Sequence, residues 1–323
     1  MHWLKALFLS VAIVSTAVPA HAADTYPSQP IRIVVTIGAG SAADILARLL
    51  GDELGRQLGQ PVIVDNRPGA GGNIAADFVA KSPADGYTLL MASVSTHGIN
   101  PALHKKLPFD PVKDFAPIGL LAANPNVLIV SPSLQAKTLR DLIELARQRP
   151  GDLTYASGGN GTSQHLAGEL LASLAGIRLL HVPYKSTPLS VNAVLSGEVT
   201  MAFASVPVVL PHVKAGKVKA LGITSAKQLA SWPEVPTIAS QGLPTFDVSA
   251  WFGLMGPAGT SQTVITRLNG TLARILAMPE IRHKLQEQGM EVLGGSSVDF
   301  ERTIRSEIER WGKIVRASGA SLD

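Results

Sequence analysis

The chain has 323 residues, 46% of them apolar and only 5% aromatic, with 28 Lys and Arg against 24 Asp and Glu and no cysteine. The lack of cysteine excludes disulfides, thiolate metal centres and cysteine nucleophiles, so the fold must rest on its core alone. A net charge of +4 without any block of Lys or Arg excludes the electrostatic footprint of a nucleic-acid binder, and a length above the ~250–300 residues at which one core stops growing points to two lobes.

The first elements concern targeting. Lys5, the apolar run Ala6 to Val18 and the small-x-small pattern Ala20-His21-Ala22 read as a signal peptide over residues 1–22, with the mature chain starting near Ala23. Its removal takes away Lys5 and leaves 27 basic against 24 acidic residues, a net of +3. The apolar run is shorter than the ~20 residues that span a bilayer, so no permanent membrane anchor is expected. With no twin arginine and no cysteine to carry a lipid, the expected location is the periplasm.

Apolar, β-branched runs then alternate with segments of helical period. Ile31 to Val35 precedes a helix over Ala43 to Leu58, Pro61 to Val64 precedes a helix over Asn73 to Ala80, and Tyr87 to Met91 follows, a βαβαβ unit with a parallel sheet. The pattern restarts at Val127 to Val130. A helix opened by the capping-box-like Thr138 to Asp141, the strand Leu153 to Ala156 and a helix from Ser163 to Ala175, stopped by Gly176, come next. From Ser261 to Ser318 the pattern is almost all helix, with Pro279 as the first residue of a second helical start. This tail is expected to pack back on the first lobe. The expected organisation is a discontinuous lobe 1 over 23–123 and 226–323 and a lobe 2 over 124–225, with hinge crossings near Asn124 and Ser225 and a cleft at the C-terminal ends of the strands.

The loop after the first strand, Gly38-Ala39-Gly40-Ser41-Ala42-Ala43, fits the dinucleotide fingerprint, and Asp65 lies 27 residues after Gly38, later than the ~20 usual for a ribose-binding acid. The same loop equally reads as a strand-to-helix turn whose free N–H groups hold any anion, carboxylates included. An exported dinucleotide-dependent oxidoreductase and an anion-binding protein both remain open from these residues.

Further stretches carry a resemblance along nearly the whole mature chain. They include Tyr26-Pro27-Ser28-Gln29-Pro30-Ile31-Arg32, Asn66-Arg67-Pro68-Gly69-Ala70-Gly71-Gly72-Asn73, Asp85-Gly86-Tyr87-Thr88, Leu153-Thr154-Tyr155-Ala156-Ser157, His181-Val182-Pro183-Tyr184-Lys185 and Trp251-Phe252-Gly253-Leu254. In these the chain resembles the Bug/TctC family of periplasmic solute-binding proteins of tripartite tricarboxylate transporters. The resemblance implies an α/β, two-lobed, type II-like periplasmic binding protein, each lobe a mixed and mainly parallel sheet flanked by helices, with the ligand cleft between the lobes. It implies capture of a small organic carboxylate and delivery to membrane permease subunits, with no chemistry, no cofactor and no metal. A monomer is the expected state. A ligand-presenting partner of a membrane sensor fits the same residues.

The family grips one ligand carboxylate with its first strand-to-helix loop and the partner loop in lobe 2. Here those positions are Gly38, Ala39, Gly40, Ser41, Ala42 and Asp44, and Gly159, Asn160, Gly161, Thr162 and Ser163. Asp44 reads either as a helix cap or as a cleft contact, and Ser95, Thr96 and His97 either as the cleft mouth or as an ordinary polar turn. His165 is expected to orient rather than react. Tyr184 is placed to close over a ligand, and Lys185 to neutralise a second carboxylate or simply to solvate.

Departures from the family pattern fall in the cleft. The first loop usually reads Pro-Gly-Gly-Ser-Thr-Asp, and Ala42 and Ala43 have lost its hydroxyls. In Phe203-Ala204-Ser205-Val206-Pro207 an acid common in the family is replaced at Ala204, next to Ser205, and this points to a less polar or aromatic carboxylate.

Overall fold

The structure, a computed structural model, describes residues 26–318; the signal-peptide assignment over 1–22 lies outside the described residues. β1 (Ile31–Val35) leads to α1 (Ala42–Leu58), β2 (Val62–Asn66), α2 (Asn73–Ala80) and β3 (Thr88–Ser93). Ser41 opens α1 by accepting the Asp44 N–H on its hydroxyl, and Gly59 closes it in the left-handed conformation at φ 74°. A π-turn over Ser95–Ile99 and the short α3 (Asn100–Leu103) follow β3. β4 (Phe115–Val130) then carries the chain into the second lobe as one strand of 16 residues.

The second lobe repeats the plan with α4 (Leu139–Gln148), β5 (Thr154–Ser157), α5 (Ser163–Ala175), β6 (Leu180–Pro183), α6 (Thr187–Ser196), β7 (Met201–Ser205), α7 (Val206–Lys214) and β8 (Lys219–Ile223). The Thr138 to Asp141 capping box is formed in both directions. β9 (Ser249–Pro257), α8 (Gln262–Ala277), α9 (Pro279–Glu287), the two-residue β10 (Glu291–Val292) and α10 (Ser297–Ser318) complete the described chain.

One sheet runs through both lobes in the order β2-β1-β3-β9-β4-β7-β5-β6, with β8 and β10 also paired to β4. Each lobe owns a parallel trio, β2-β1-β3 and β6-β5-β7. The crossing strands β4 and β9 add antiparallel partners to both trios, so the sheets are mixed because the chain must come back. Alternation along β4 shows why both faces are covered: Leu128 and Val130 join one apolar cluster and Val127 and Ile129 the other. The helical tail packs on the strands and turn of the first lobe. In α10 the half-buried Glu307 accepts the indole N–H of both Trp251 (3.0 Å) and Trp311 (2.9 Å).

The lobes join where β4 switches partners. Pro125 still faces Ser249 on β9, while Asn126 faces Ser205 on β7. Thr224, wholly buried, fastens this point. Its N–H donates to Asn126 O (2.9 Å) and its hydroxyl accepts the Asn126 N–H (2.8 Å); the same hydroxyl donates to Val248 O (2.6 Å), and Val248 N–H donates to Thr224 O (2.8 Å). Residues 225–247 do not return to the first lobe at Ser225, where the sequence pattern places the crossing. They lay an extra edge on β8 through Ile223 N–H to Pro236 O and Ile238 N–H to Ile223 O, and Trp232 and Val235 enter the second lobe's core. The return is made at Val248–Ser249.

Thr224→Val keeps the side-chain volume and orphans the Asn126 N–H and the Val248 carbonyl. It is expected to lower unfolding stability by about 2–5 kcal/mol, from roughly 1–3 kcal/mol for each buried group left unpaired. Urea unfolding followed by circular dichroism measures this, and a loss below about 0.5 kcal/mol would show that the tie carries no load.

Candidate functional site

Strand ends and helix starts meet between the lobes. An inner cavity is lined by Ser41, Ala42 and Ala43 at the start of α1, by Thr162, Ser163 and Gln164 at the start of α5, by Thr187 at the start of α6 and by Ser205 just before α7. Four helix N-termini therefore converge on one space. Ser93 and Ser95 close it from the end of β3, Asn124 and Asn126 from the hinge, and Ile37, Val94, Ala250 and Phe252 supply apolar wall. No charged side chain lines it. Its volume, measured at water centres, is about 20 Å³, room for roughly one water, so the lobes stand closed around it.

Most donors in the two helix-opening loops are satisfied within the loops. Gly40 N–H donates to the Asp44 carboxylate (2.9 Å) and Asp44 N–H to Ser41 Oγ (3.3 Å). In the second lobe Gly158 N–H donates to Gln164 Oε1 (2.6 Å), Gly159 N–H to Ser157 Oγ (3.1 Å), Gly161 N–H to His165 Nδ1 (3.3 Å) and His165 N–H to Thr162 Oγ1 (3.3 Å). The first two N–H groups of each helix, those of Ala42 and Ala43 and of Ser163 and Gln164, have no protein acceptor among the described residues. Two buried side-chain oxygens on the same wall, Ser93 Oγ and Asn124 Oδ1, also lack a protein partner. The free N–H groups and the Ser93 hydroxyl are a neutral set of donors at two positive dipole ends, which is what a carboxylate accepts, while Asn124 Oδ1 can only accept, as from a bound hydroxyl or water.

An outer chamber of about 230 Å³ adjoins it, sharing Ile37 and Thr162 with the inner wall. Thr36 and the Gly69 to Gly72 turn face it from the first lobe, and Gly158 to Asn160, Tyr184 and Lys185 from the second. Around both spaces the lobes touch at glycines. A methyl group placed on Gly38 would lie 3.0 Å from Ser186 Cβ and 3.2 Å from Lys185 O, one on Gly40 3.3 Å from Pro188, and one on Gly71 2.7 Å from the Asn160 carbonyl oxygen. On Gly161 it would overlap the Asn100 side chain.

The residues that the sequence points to divide accordingly. Ser41, Ala42, Ser95, Thr162, Ser163 and Ser205 lie on the inner wall, and Gly159, Asn160, Tyr184 and Lys185 on the outer one. Gly38, Gly40 and Gly161 form lobe-to-lobe contacts instead, and Ala39 is exposed on neither wall. Asp44 is a cap: it is buried, takes Gly40 N–H and pairs with Arg48 at 2.9 Å. Burial alone would raise its carboxyl, but the bonds from Arg48 and Gly40 outweigh that and hold it below the usual carboxylate range.

Thr96 and His97 lie behind the cleft, hydrogen bonded to each other at 2.8 Å, with His97 against the rings of Phe109 and Phe115. The π-turn rotates only Ser95 to the front. Ala204 sits in the core of the second lobe, so an acid missing there does not change the wall itself. The Tyr184 hydroxyl donates to Glu198 (2.8 Å) rather than closing over the cavity.

Sequence reasoning passed over Ile37, Ser93, Asn126, Gln164, Thr187 and Phe252, all on the inner wall, and took Asn124 only as a crossing point. Gln164 was within reach, since it follows the cap Thr162 by two positions. Its amide donates to Thr187 Oγ1 (3.0 Å) and Ser205 Oγ (3.4 Å) while its carbonyl oxygen takes Gly158 N–H, so one side chain aligns the starts of α5, α6 and α7.

His165 supports the loop from beneath. Its ring stacks on His181 at 4.2 Å, and His181 Nε2 meets Ser157 Oγ at 2.7 Å. Burial, reinforced by His165, pushes His181 down to about 3, and burial lowers His165 against the pull of Glu169.

Two outcomes follow. Gln164→Leu is expected to weaken anion binding by about tenfold or more and cost roughly 1–3 kcal/mol of stability, because it strands Gly158 N–H; calorimetry and urea unfolding check the pair. For His181, whose native value of about 3 lies below the ~6.5 of an unfolded chain, the unfolded state takes up protons first. Stability is full above about pH 6.5 and falls as pH drops toward 3. His181→Gln should flatten that slope in melting temperatures measured across the range.

The chain is similar to known proteins along most of its length. The profile of the family described as "Tripartite tricarboxylate transporter family receptor" matches residues 46–320. The chain is 35% identical to protein BugT of Bordetella pertussis over 99% of this chain and 98% of that one. Among solved structures it is similar to Rpa4515 of Rhodopseudomonas palustris with adipate, at 36% identity and a TM-score of 0.89, covering 92% of this chain and 100% of that one. It is also similar to MatC of Rhodopseudomonas palustris with bound malate, at 32% identity and a TM-score of 0.86, covering 90% and 100%. The chain belongs to the TctC family of tripartite tricarboxylate transporter receptors, the Bug proteins.

Proposed function

We propose that this protein is a periplasmic receptor that closes its two lobes on a small carboxylate-bearing organic anion and delivers it to a tripartite tricarboxylate-type membrane transporter. One observation carries the reading: the unpaired N–H groups of Ala42, Ala43, Ser163 and Gln164 face a single cavity from opposite lobes, on a wall without a charged side chain. A carboxylate there completes helix starts that otherwise remain unsatisfied, and it does so only when the lobes are together.

Binding without chemistry fits the same wall. The inner cavity has no His, Asp, Glu, Lys or Arg to act as acid, base or nucleophile. Asp65, where a dinucleotide site would need its ribose-binding acid, is spent on Arg32 (3.2 Å) and Arg67 (3.0 Å). The relatives solved with adipate and with malate support a carboxylate as ligand. Export rests on the leader sequence, and among the described residues no helix is long and apolar enough to cross a membrane. We take the protein to act as a monomer, with the partner-switching point of β4 as its hinge.

A ligand that binds only the folded, closed form stabilises it by RT ln(1 + [L]/Kd), about 2.7 kcal/mol at a hundredfold excess over Kd. For a protein of this size that corresponds to a rise in Tm of roughly 3–6 °C. A thermal-shift screen of organic acids measures it. A chain that no organic acid stabilises, or one that retains a nicotinamide or flavin through purification, overturns the reading.

A further inference from the structure

Two Asn-Gly pairs occur in the chain, Asn160-Gly161 and Asn269-Gly270, and the fold treats them oppositely. Asn269 lies inside α8 with its amide tied to Ile118 O (2.8 Å) and Gly295 O (2.9 Å). Asn160 is exposed in the helix-opening loop of the second lobe, and among the described residues its side-chain amide has no hydrogen-bond partner. Glycines flank it on both sides, Gly159 at φ 129° and Gly161 at φ 76°, so no neighbouring Cβ hinders rotation about the backbone of the pair. The Gly161 N–H is held by a 3.3 Å bond to His165 Nδ1, and burial lowers that ring's affinity for protons, so an unprotonated acceptor faces the nitrogen. Closed lobes restrain the pair. A methyl group on Gly71 would lie 2.7 Å from the Asn160 carbonyl oxygen, and Gly161 is buried against Asn100. Opening removes both restraints, because Gly71 and Asn100 belong to the first lobe.

We propose that Asn160-Gly161 is a site of spontaneous self-modification, at which a neutral residue on the outer wall becomes an acid while the lobes are open. The Gly161 nitrogen bonds to the Asn160 side-chain carbonyl carbon as the bond from that carbon to Nδ2 breaks. The Gly161 proton leaves with the departing nitrogen as ammonia, and the product is a cyclic imide. Water then opens the ring at either carbonyl and leaves an aspartyl or isoaspartyl residue in place of Asn160, with nothing oxidised or reduced. Either product matters to an anion receptor. Asn160 lines the outer chamber, whose only charged residue is Lys185, so a carboxylate there repels an incoming anion. The isoaspartyl form also lengthens the main chain by one carbon just before Thr162, the cap that sets the Ser163 and Gln164 N–H groups. The effect on binding rests on the carboxylate reading; the modification does not.

The test is to age the full mature chain for days at neutral and mildly alkaline pH and to follow it by peptide mass mapping. The peptide holding Asn160 is expected to gain the mass difference between O and NH and to split into two chromatographic forms. Its conversion should outrun that of Asn269 by about tenfold or more, because α8 must open locally before its pair can react. In Asn160→Gln, whose longer side chain closes a ring far less readily, the change should vanish. No conversion at Asn160, or conversion no faster than at Asn269, overturns the site. Calorimetry with succinate, butyrate and benzoate reads the consequence. Whichever of these binds the fresh chain should bind the aged chain and Asn160→Asp about threefold to tenfold less tightly, as expected for one added like charge. The same acid, present throughout ageing, should slow the conversion by holding the lobes closed. Unchanged affinity overturns the effect on binding, and an unchanged rate overturns the assignment to the open form. Failure of all three acids on the fresh chain counts against the carboxylate reading alone, and the mass measurement decides the modification without it.

Discussion

Four backbone N–H groups at the first two positions of α1 and α5 govern the rest of the structure. A helix cannot satisfy these donors itself, and donors left unpaired in a closed cavity are costly. The surrounding loops satisfy several of their neighbours and leave these free. Asp44 occupies Gly40 N–H, Ser157 occupies Gly159, His165 occupies Gly161 and Gln164 occupies Gly158. The two helix dipoles contribute roughly half a unit charge each, so the pair presents about one positive charge to the inner cavity.

A wall that is positive without containing a cation has a consequence for release. A buried guanidinium would need desolvation on each closure and would hold its partner tightly once closed. Fixed dipoles need no desolvation of an ion and lose much of their pull when the lobes part. The contact surfaces are built for the same reversibility. Where the lobes meet, Gly38, Gly40, Gly71 and Gly161 bring backbone against the opposite lobe without interlocking side chains, so opening unmeshes little. The hinge stays fixed meanwhile, because Thr224 bonds both crossing segments.

Much of this fold can be read in the chain because its elements announce themselves locally. Thr162, Ser163 and Gly176 bound α5, and the Thr138 to Asp141 box opens α4, each through a short-range hydrogen bond that needs no tertiary context. The return crossing is different. Residues 225–247 have no strand period, and they remain on the second lobe through single backbone bonds to Ile223 and a few apolar contacts such as Trp232. The site divides in the same way. Its helix-opening loops are legible, whereas Ser93 reaches the cavity from the end of β3 and Asn126 and Phe252 from within the crossing strands β4 and β9, which only the tertiary fold brings to one place. His97 is polar in sequence but is turned away by the π-turn into an aromatic pocket.

Recognition by backbone also explains how the first loop tolerates its unusual residues. Ala42 and Ala43 carry no hydroxyl, yet the donor each provides is its peptide N–H, which does not depend on the side chain. Peptide N–H donors of this kind are generic, since every acid presents the same group to them, and selectivity has to come from side chains. Lys185 and Thr36 line the adjoining outer chamber from different lobes, so the two stand on one wall only because the lobes meet there.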